Sequence, residues 1–101
     1  MIVYNLSVKI DAQIEDEWIC WQKEEHIPEI MSTSLFSEYK MFRLIQQDSK
    51  DNITYVIQYF ALSFENYNHY IKKFAPALRQ KAFNKWGNRF IVFRTIMESV
   101  Q

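Results

Sequence analysis

Glu25 and His26 are adjacent side chains that could move a proton together. An imidazole titrates near neutrality, and a carboxylate in apolar surroundings holds its proton more tightly than in water. At the mouth of a pocket the pair would form a proton shuttle. The plainer reading, which the sequence context favours, is a histidine in the last turn of a helix with Glu25 bent to solvent. Unsatisfied carbonyls at that helix end would then favour the protonated imidazole. Arg43 and Arg94 form a second group, because two guanidiniums suit a carboxylate or another anion. With Asn5, Ser7, Gln58 and Tyr39 they put a few polar groups among hydrophobes, the usual make-up of a small-molecule site. Here too the plainer reading is favoured. Both arginines fall on strands expected at sheet edges, where charge blocks unwanted pairing and the guanidinium reaches back to water.

Other chemistry finds little material. His69 falls on the polar face of its helix, away from His26, and Cys20 lies off the apolar stripe without a basic neighbour. Neither metal ligation nor a reactive thiol is expected. One glycine in 101 residues leaves no phosphate cradle and no dinucleotide fingerprint. Tyr55 and Tyr59 could stack bases, but the basic, Gly-containing aromatic strand of RNA-recognition domains is missing. The formal charge is zero, from 12 acids and 12 bases, so no long-range field draws the chain to nucleic acid or an anionic membrane. The expectation is no cofactor, no nucleic-acid partner and no membrane contact.

The elements that must position these residues follow from periodicity. Ile2, Tyr4, Leu6, Val8 and Ile10 alternate with Val3, Asn5, Ser7 and Lys9, the pattern of a strand with one face in a core. Asp11 can cap the next helix, and Glu15, Asp16 and Glu17 suit the positive end of its dipole. That helix is predicted from about Ala12 to His26, with an apolar stripe of Ile14, Trp18 and Trp21 whose next position is Glu25. Pro28 is expected to stop or kink it. Strand two spans about Phe36 to Gln46, a polar turn covers residues 47–52, and strand three spans Ile53 to Ala61. Ser63 caps a second amphipathic helix through Tyr67, Ile71, Phe74 and Leu78. Pro76 breaks it and opens a continuation to Trp86, which Gly87 ends as a left-handed stop. Strand four runs from Arg89 to about Glu98.

The order β-α-β-β-α-β reads as a ferredoxin-like α+β fold, one domain over residues 1–101: a four-stranded antiparallel sheet with both helices on one face. Strands one and three lie in the middle. An apolar content of 49%, with 17% aromatic, fits a densely packed globule. Strands two to four are largely apolar on both faces, with Met41, Phe42, Val56, Phe60, Phe93 and Ile96 among them. Leaving such side chains in water forfeits about 1.5 to 3 kcal/mol each relative to burial. A second layer is therefore expected, and the economical one is a second copy packed sheet to sheet, a homodimer through the open sheet face. Residues 1–62 carry net −5 and residues 63–101 net +5, so the halves are expected to lie against each other, within a subunit or between subunits. The lone Cys20 and an opening segment unlike a signal peptide point to the cytoplasm.

Met1-Ile-Val-Tyr-Asn5, Trp18 with Glu25-His-Ile-Pro-Glu-Ile-Met31, Gln58-Tyr-Phe-Ala61, Phe74-Ala-Pro-Ala-Leu78 and Phe93-Arg-Thr95 together resemble a small bacterial family of DUF4286 type, found mostly in Bacteroidetes. The resemblance spans nearly the whole chain and brings no established activity. In layout the chain is more distantly similar to dimeric α+β barrel proteins, among them small monooxygenases, muconolactone isomerases, haem-degrading enzymes and stress-response barrel proteins. That similarity implies a sheet-to-sheet dimer with a pocket between sheet and helices in each subunit, and it carries no catalytic residue across. Two functions are expected to compete. One is a homodimeric module holding a small apolar or anionic molecule. The other is a cofactor-independent enzyme, an oxygenase or isomerase, using His26 and Glu25 with Arg43 or Arg94 orienting an anion.

Overall fold

A computed structural model describes residues 1–46 and 49–100. Four strands, β1 (Ile2–Asp11), β2 (Glu38–Arg43), β3 (Asn52–Ala61) and β4 (Phe90–Glu98), form one antiparallel sheet in the order β2-β3-β1-β4. The middle strands are β1 and β3, as the ferredoxin-like reading requires. Alternation decides the inward face. Ile2, Tyr4, Val8 and Ile10 of β1 and Ile53, Tyr55, Ile57 and Tyr59 of β3 are buried beneath the helices. β2 is shorter than its periodicity suggests. Phe36 lies before it, buried, with its ring 5.3 Å from Tyr59 and 4.9 Å from Tyr70. Part of the expected turn, Gln47 and Asp48, lies outside the described residues.

The first helical segment departs most from expectation. Asp11 caps it by accepting from the Gln13 backbone N–H at 2.9 Å. A 3₁₀ turn (Ala12–Ile14), α1 (Glu15–Trp21), a π turn (Gln22–His26) and α2 (Ile27–Met31) then follow without a break. The chain does not stop at Pro28. The Ile27 N–H donates to the Gln22 carbonyl, five residues back. The wider turn gives the proline ring room that an α turn would deny it, and Pro28 has no N–H to leave unpaired. The extra residue also turns the inward stripe. Gln22 and Ile27 are buried, His26 is half-buried, and Glu25, the next inward position of a regular helix, is exposed.

Ser63 caps α3 (Phe64–Lys73), accepting from the Asn66 N–H at 3.1 Å. Pro76 sits in the first turn of α4 (Ala75–Trp86). Gly87 ends α4 at φ 60° and ψ −131°, not in the left-handed helical stop expected but in a region that essentially only glycine occupies. The two halves meet where their charges predict. Lys81 on α4 pairs with Glu29 on α2 at 2.8 Å, and Arg89 pairs with Asp11 at 3.5 Å. Among the described residues, no helix is long and apolar enough to cross a membrane.

The sheet's outer face is uncovered. Phe42 of β2 and Ile91, Phe93 and Met97 of β4 lie there 41–64% exposed, beside half-buried Val3, Val56 and Phe60. A hydrogen-bonded polar row crosses its middle. Gln58 Nε2 donates to Asn5 Oδ1 at 3.2 Å, and Asn5 Nδ2 donates to Thr95 Oγ1 at 3.3 Å.

Candidate small-molecule site

Between the sheet's inner face and the helices lies a cavity of about 60 Å³. The sheet supplies its floor: Tyr4, Leu6 and Val8 from β1, Ile57 and Tyr59 from β3, and Phe90, Val92 and Arg94 from β4. Trp18, Trp21, Gln22, His26 and Ile30 descend from the first helical segment, and Tyr70, Leu78, Arg79, Ala82 and Trp86 from α3 and α4. Period two on the strands and the π-shifted stripe on the helix aim these side chains at one space. The volume suits a cluster of waters, or a molecule of a few heavy atoms with its remainder at the mouth. Arg79 and Arg94 are the exposed members of the lining and mark that mouth.

Among the described residues, three buried polar atoms of the side chains in this lining have no hydrogen-bond partner: Gln22 Oε1, His26 Nδ1 and Trp86 Nε1. Leaving a buried donor or acceptor unpaired costs about 1–3 kcal/mol, and native interiors rarely tolerate it without a reason. All three border the same cavity. Trp21 organises them, stacking on His26 with centroids 4.4 Å apart at 18° and meeting Trp86 edge-on at 5.8 Å. Burial is the main force on the imidazole and, with Lys81 nearby, outweighs Glu29, bringing its pKa down to about 4. His26 is therefore neutral at pH 7, contrary to the protonated form expected for a helix end.

The opposite pole is cationic. The Arg79 guanidinium donates to the Tyr4 hydroxyl at 3.0 Å. Burial pushes the Tyr70 hydroxyl pKa up, with Tyr4 adding to the shift, while Arg79 and Arg94 pull the other way. The four groups thus sense one another at one end of the cavity. Burial likewise raises the Tyr59 hydroxyl, so Tyr59 and Tyr70 are neutral hydrogen-bonding groups.

The residues singled out in the sequence part company. His26 and Arg94 meet at the cavity. Glu25 does not join them: it is exposed and lies in a separate shallow depression with Glu17, Cys20, Glu24 and Lys85. Glu24 beside Cys20 pushes the thiol's pKa up, away from reactivity. Asn5 and Gln58 lie on the outer face, as expected. Arg43, Arg94 and Tyr39 do not, because their register partners Tyr55, Leu6 and Tyr59 put all three on the helix side. Arg43 is engaged there: its Nε donates to Glu15 Oε2 at 2.9 Å, and the same oxygen accepts from the Tyr55 hydroxyl at 2.6 Å. Gln22, Trp86, Tyr70 and Arg79 went unnoticed as site residues. The available signal was Gln22, a polar side chain one turn after Trp18 on an otherwise apolar stripe. Among the described residues no three His, Cys, Asp or Glu side chains gather as a metal site needs.

One helical layer over one face of an antiparallel sheet, with a small aromatic-lined cavity between, defines a ferredoxin-like α+β protein. The chain belongs to the DUF4286 family, described as a domain of unknown function, whose pattern matches residues 1–100. No curated protein matches it. Solved structures share the fold at low identity. An ethyl tert-butyl ether d (EthD) family protein from Bacillus halodurans is 13% identical with a TM-score of 0.71, covering 99% of this chain and 100% of its own. A dimeric ferredoxin-like protein from an uncultured marine organism is 11% identical with a TM-score of 0.69, covering 99% and 96%. SnoaB, a cofactor-independent oxygenase from Streptomyces nogalater, is 9% identical with a TM-score of 0.58, covering 99% and 94%.

Proposed function

We propose that this chain is a cytoplasmic bacterial homodimer that holds a small molecule between its sheet and helices. One observation carries the reading: Gln22 Oε1, His26 Nδ1 and Trp86 Nε1 are buried and unpaired, and their residues line one cavity. A core with no further task would have apolar side chains there, since an apolar replacement avoids the penalty of an unmade bond. The apolar outer face supports the dimer, and the solved neighbour described as dimeric has the same fold. In that assembly Asn5 and Gln58 serve the subunit contact, and Arg94 serves the ligand. Native mass spectrometry of freshly purified protein tests the proposal. The expected spectrum is a dimer with added small-molecule mass, and a bare monomer contradicts it.

A second reading, cofactor-independent catalysis, draws support from His26. The imidazole is neutral and has an unpaired nitrogen that can accept a proton, although its lowered pKa makes it a weak base. One structural neighbour is described as a cofactor-independent oxygenase, which admits such chemistry to the fold without assigning it to this chain. In this reading Arg94 orients an anionic substrate and His26 acts without Glu25.

A further inference from the structure

The binding reading says nothing of which molecule the cavity takes, but its two poles differ in chemistry. The inner pole offers two acceptor atoms and one donor: Gln22 Oε1, His26 Nδ1 in the tautomer that carries its proton on Nε2, and the Trp86 indole N–H. A hydroxyl pairs two of the three, accepting from the indole and donating to either the amide oxygen or the imidazole nitrogen. A ketone can only accept, so both acceptors would stay unpaired. A carboxylate is worse, since it donates nothing and would be desolvated beside a neutral imidazole. The mouth has the opposite character. Arg79 and Arg94 are exposed there, and Tyr4, which accepts from Arg79, keeps its own O–H to donate. This end favours an anion.

Resting on the binding reading above, we propose that the ligand is a small hydroxycarboxylate, its hydroxyl inside among Gln22, His26 and Trp86 and its carboxylate outside between Arg79 and Arg94. The intervening carbons lie against aromatic and aliphatic walls formed by Trp18, Tyr59 and Val92. Recognition of this kind discriminates strongly. A site built to bond a hydroxyl rejects the analogue without one, because its own buried groups are then left unpaired.

The test is a titration of the dimer followed by the Trp86 indole N–H resonance, assigned with Trp86→Phe. The probes are butanoates with a hydroxyl at C2, C3 or C4, and butanoate and 1-butanol as single-function controls. The expected result is saturable movement of the resonance with at least one hydroxybutanoate, and binding about tenfold or more weaker for each control. Arg94→Gln should weaken the hydroxybutanoate and leave 1-butanol unchanged. If butanoate or 1-butanol binds as well as every hydroxybutanoate, two-pole recognition is wrong while the cavity remains a binding site. If no probe moves the resonance at tens of millimolar, as roughly the weak end of small-molecule affinity, and the purified protein also carries no added mass, both this assignment and the binding reading fall.

Discussion

Unpaired polar atoms inside a protein record a conflict between folding and use, and Gln22 states it most plainly. Its amide oxygen is buried without a partner, where methionine would fill similar space at no polar cost. Gln22→Met should therefore raise unfolding free energy by about 1 kcal/mol in denaturant titrations while weakening ligand uptake. His26 makes a pH prediction whose sign follows from its depressed pKa. Folded, it titrates at about 4, and unfolded near its ordinary 6.5, so between these values the unfolded chain binds more protons. Stability should be fully present above about pH 6.5 and decline as the pH falls towards 4, by on the order of 3 kcal/mol in all. Unfolding measured across that window should lose this slope in His26→Phe. At this scale the sequence was half legible. His26 could be picked out by type, but its burial and its separation from Glu25 could not, because both depend on one inserted residue in the helix.

That insertion belongs to the scale of elements. Periodicity assigned a stripe of Ile14, Trp18, Trp21 and Glu25, which is sound for an unbroken α-helix. The π turn at Gln22–His26 takes up an extra residue, keeps the chain helical through Pro28 and replaces Glu25 by His26 on the inner face. Nothing in local propensity announces a π turn; its justification lies in packing against Trp86 and the sheet. The strands were more legible. Alternation fixed the faces of β1 and β3 correctly, whereas β2 and β4 mix apolar and polar side chains on both sides, so their parity could not be told until pairing with β3 and β1 set it. Arg43, Arg94 and Tyr39 were assigned to the outer face for that reason. The cap on α3 provides a control at this scale. Ser63→Ala removes the bond to the Asn66 N–H and should cost about 1 kcal/mol in thermal or denaturant unfolding, with ligand uptake by the surviving native protein unchanged.

For the whole molecule, the outer sheet face is an apolar surface that the chain leaves uncovered. Phe93, 64% exposed beside Ile91 and Met97, sits on an edge strand where a second subunit would cover it. In the proposed dimer, Phe93→Glu would place two carboxylates at the subunit contact, and the variant is expected to sediment as a monomer at micromolar concentration. An unchanged dimer would mean that the subunits meet elsewhere. In the proposed dimer the row Gln58–Asn5–Thr95 would set the register of the contact, because polar groups buried between sheets must find partners in one alignment. The opposite net charges of the two halves are at least partly spent within one chain, in the Lys81–Glu29 and Arg89–Asp11 pairs. The fold itself was legible from the order and periodicity of the elements. The cavity was not, because it is a property of how the layers fail to meet and no stretch of sequence encodes it alone.

A crystal structure of the protein as purified, at a resolution that separates water from larger molecules, tests the central claim most directly. The account predicts continuous density for a small molecule within hydrogen-bonding distance of Trp86 Nε1 and of Gln22 or His26, extending towards Arg94. A cavity closed by side-chain repacking, with those three atoms bonded to other protein groups, would contradict it.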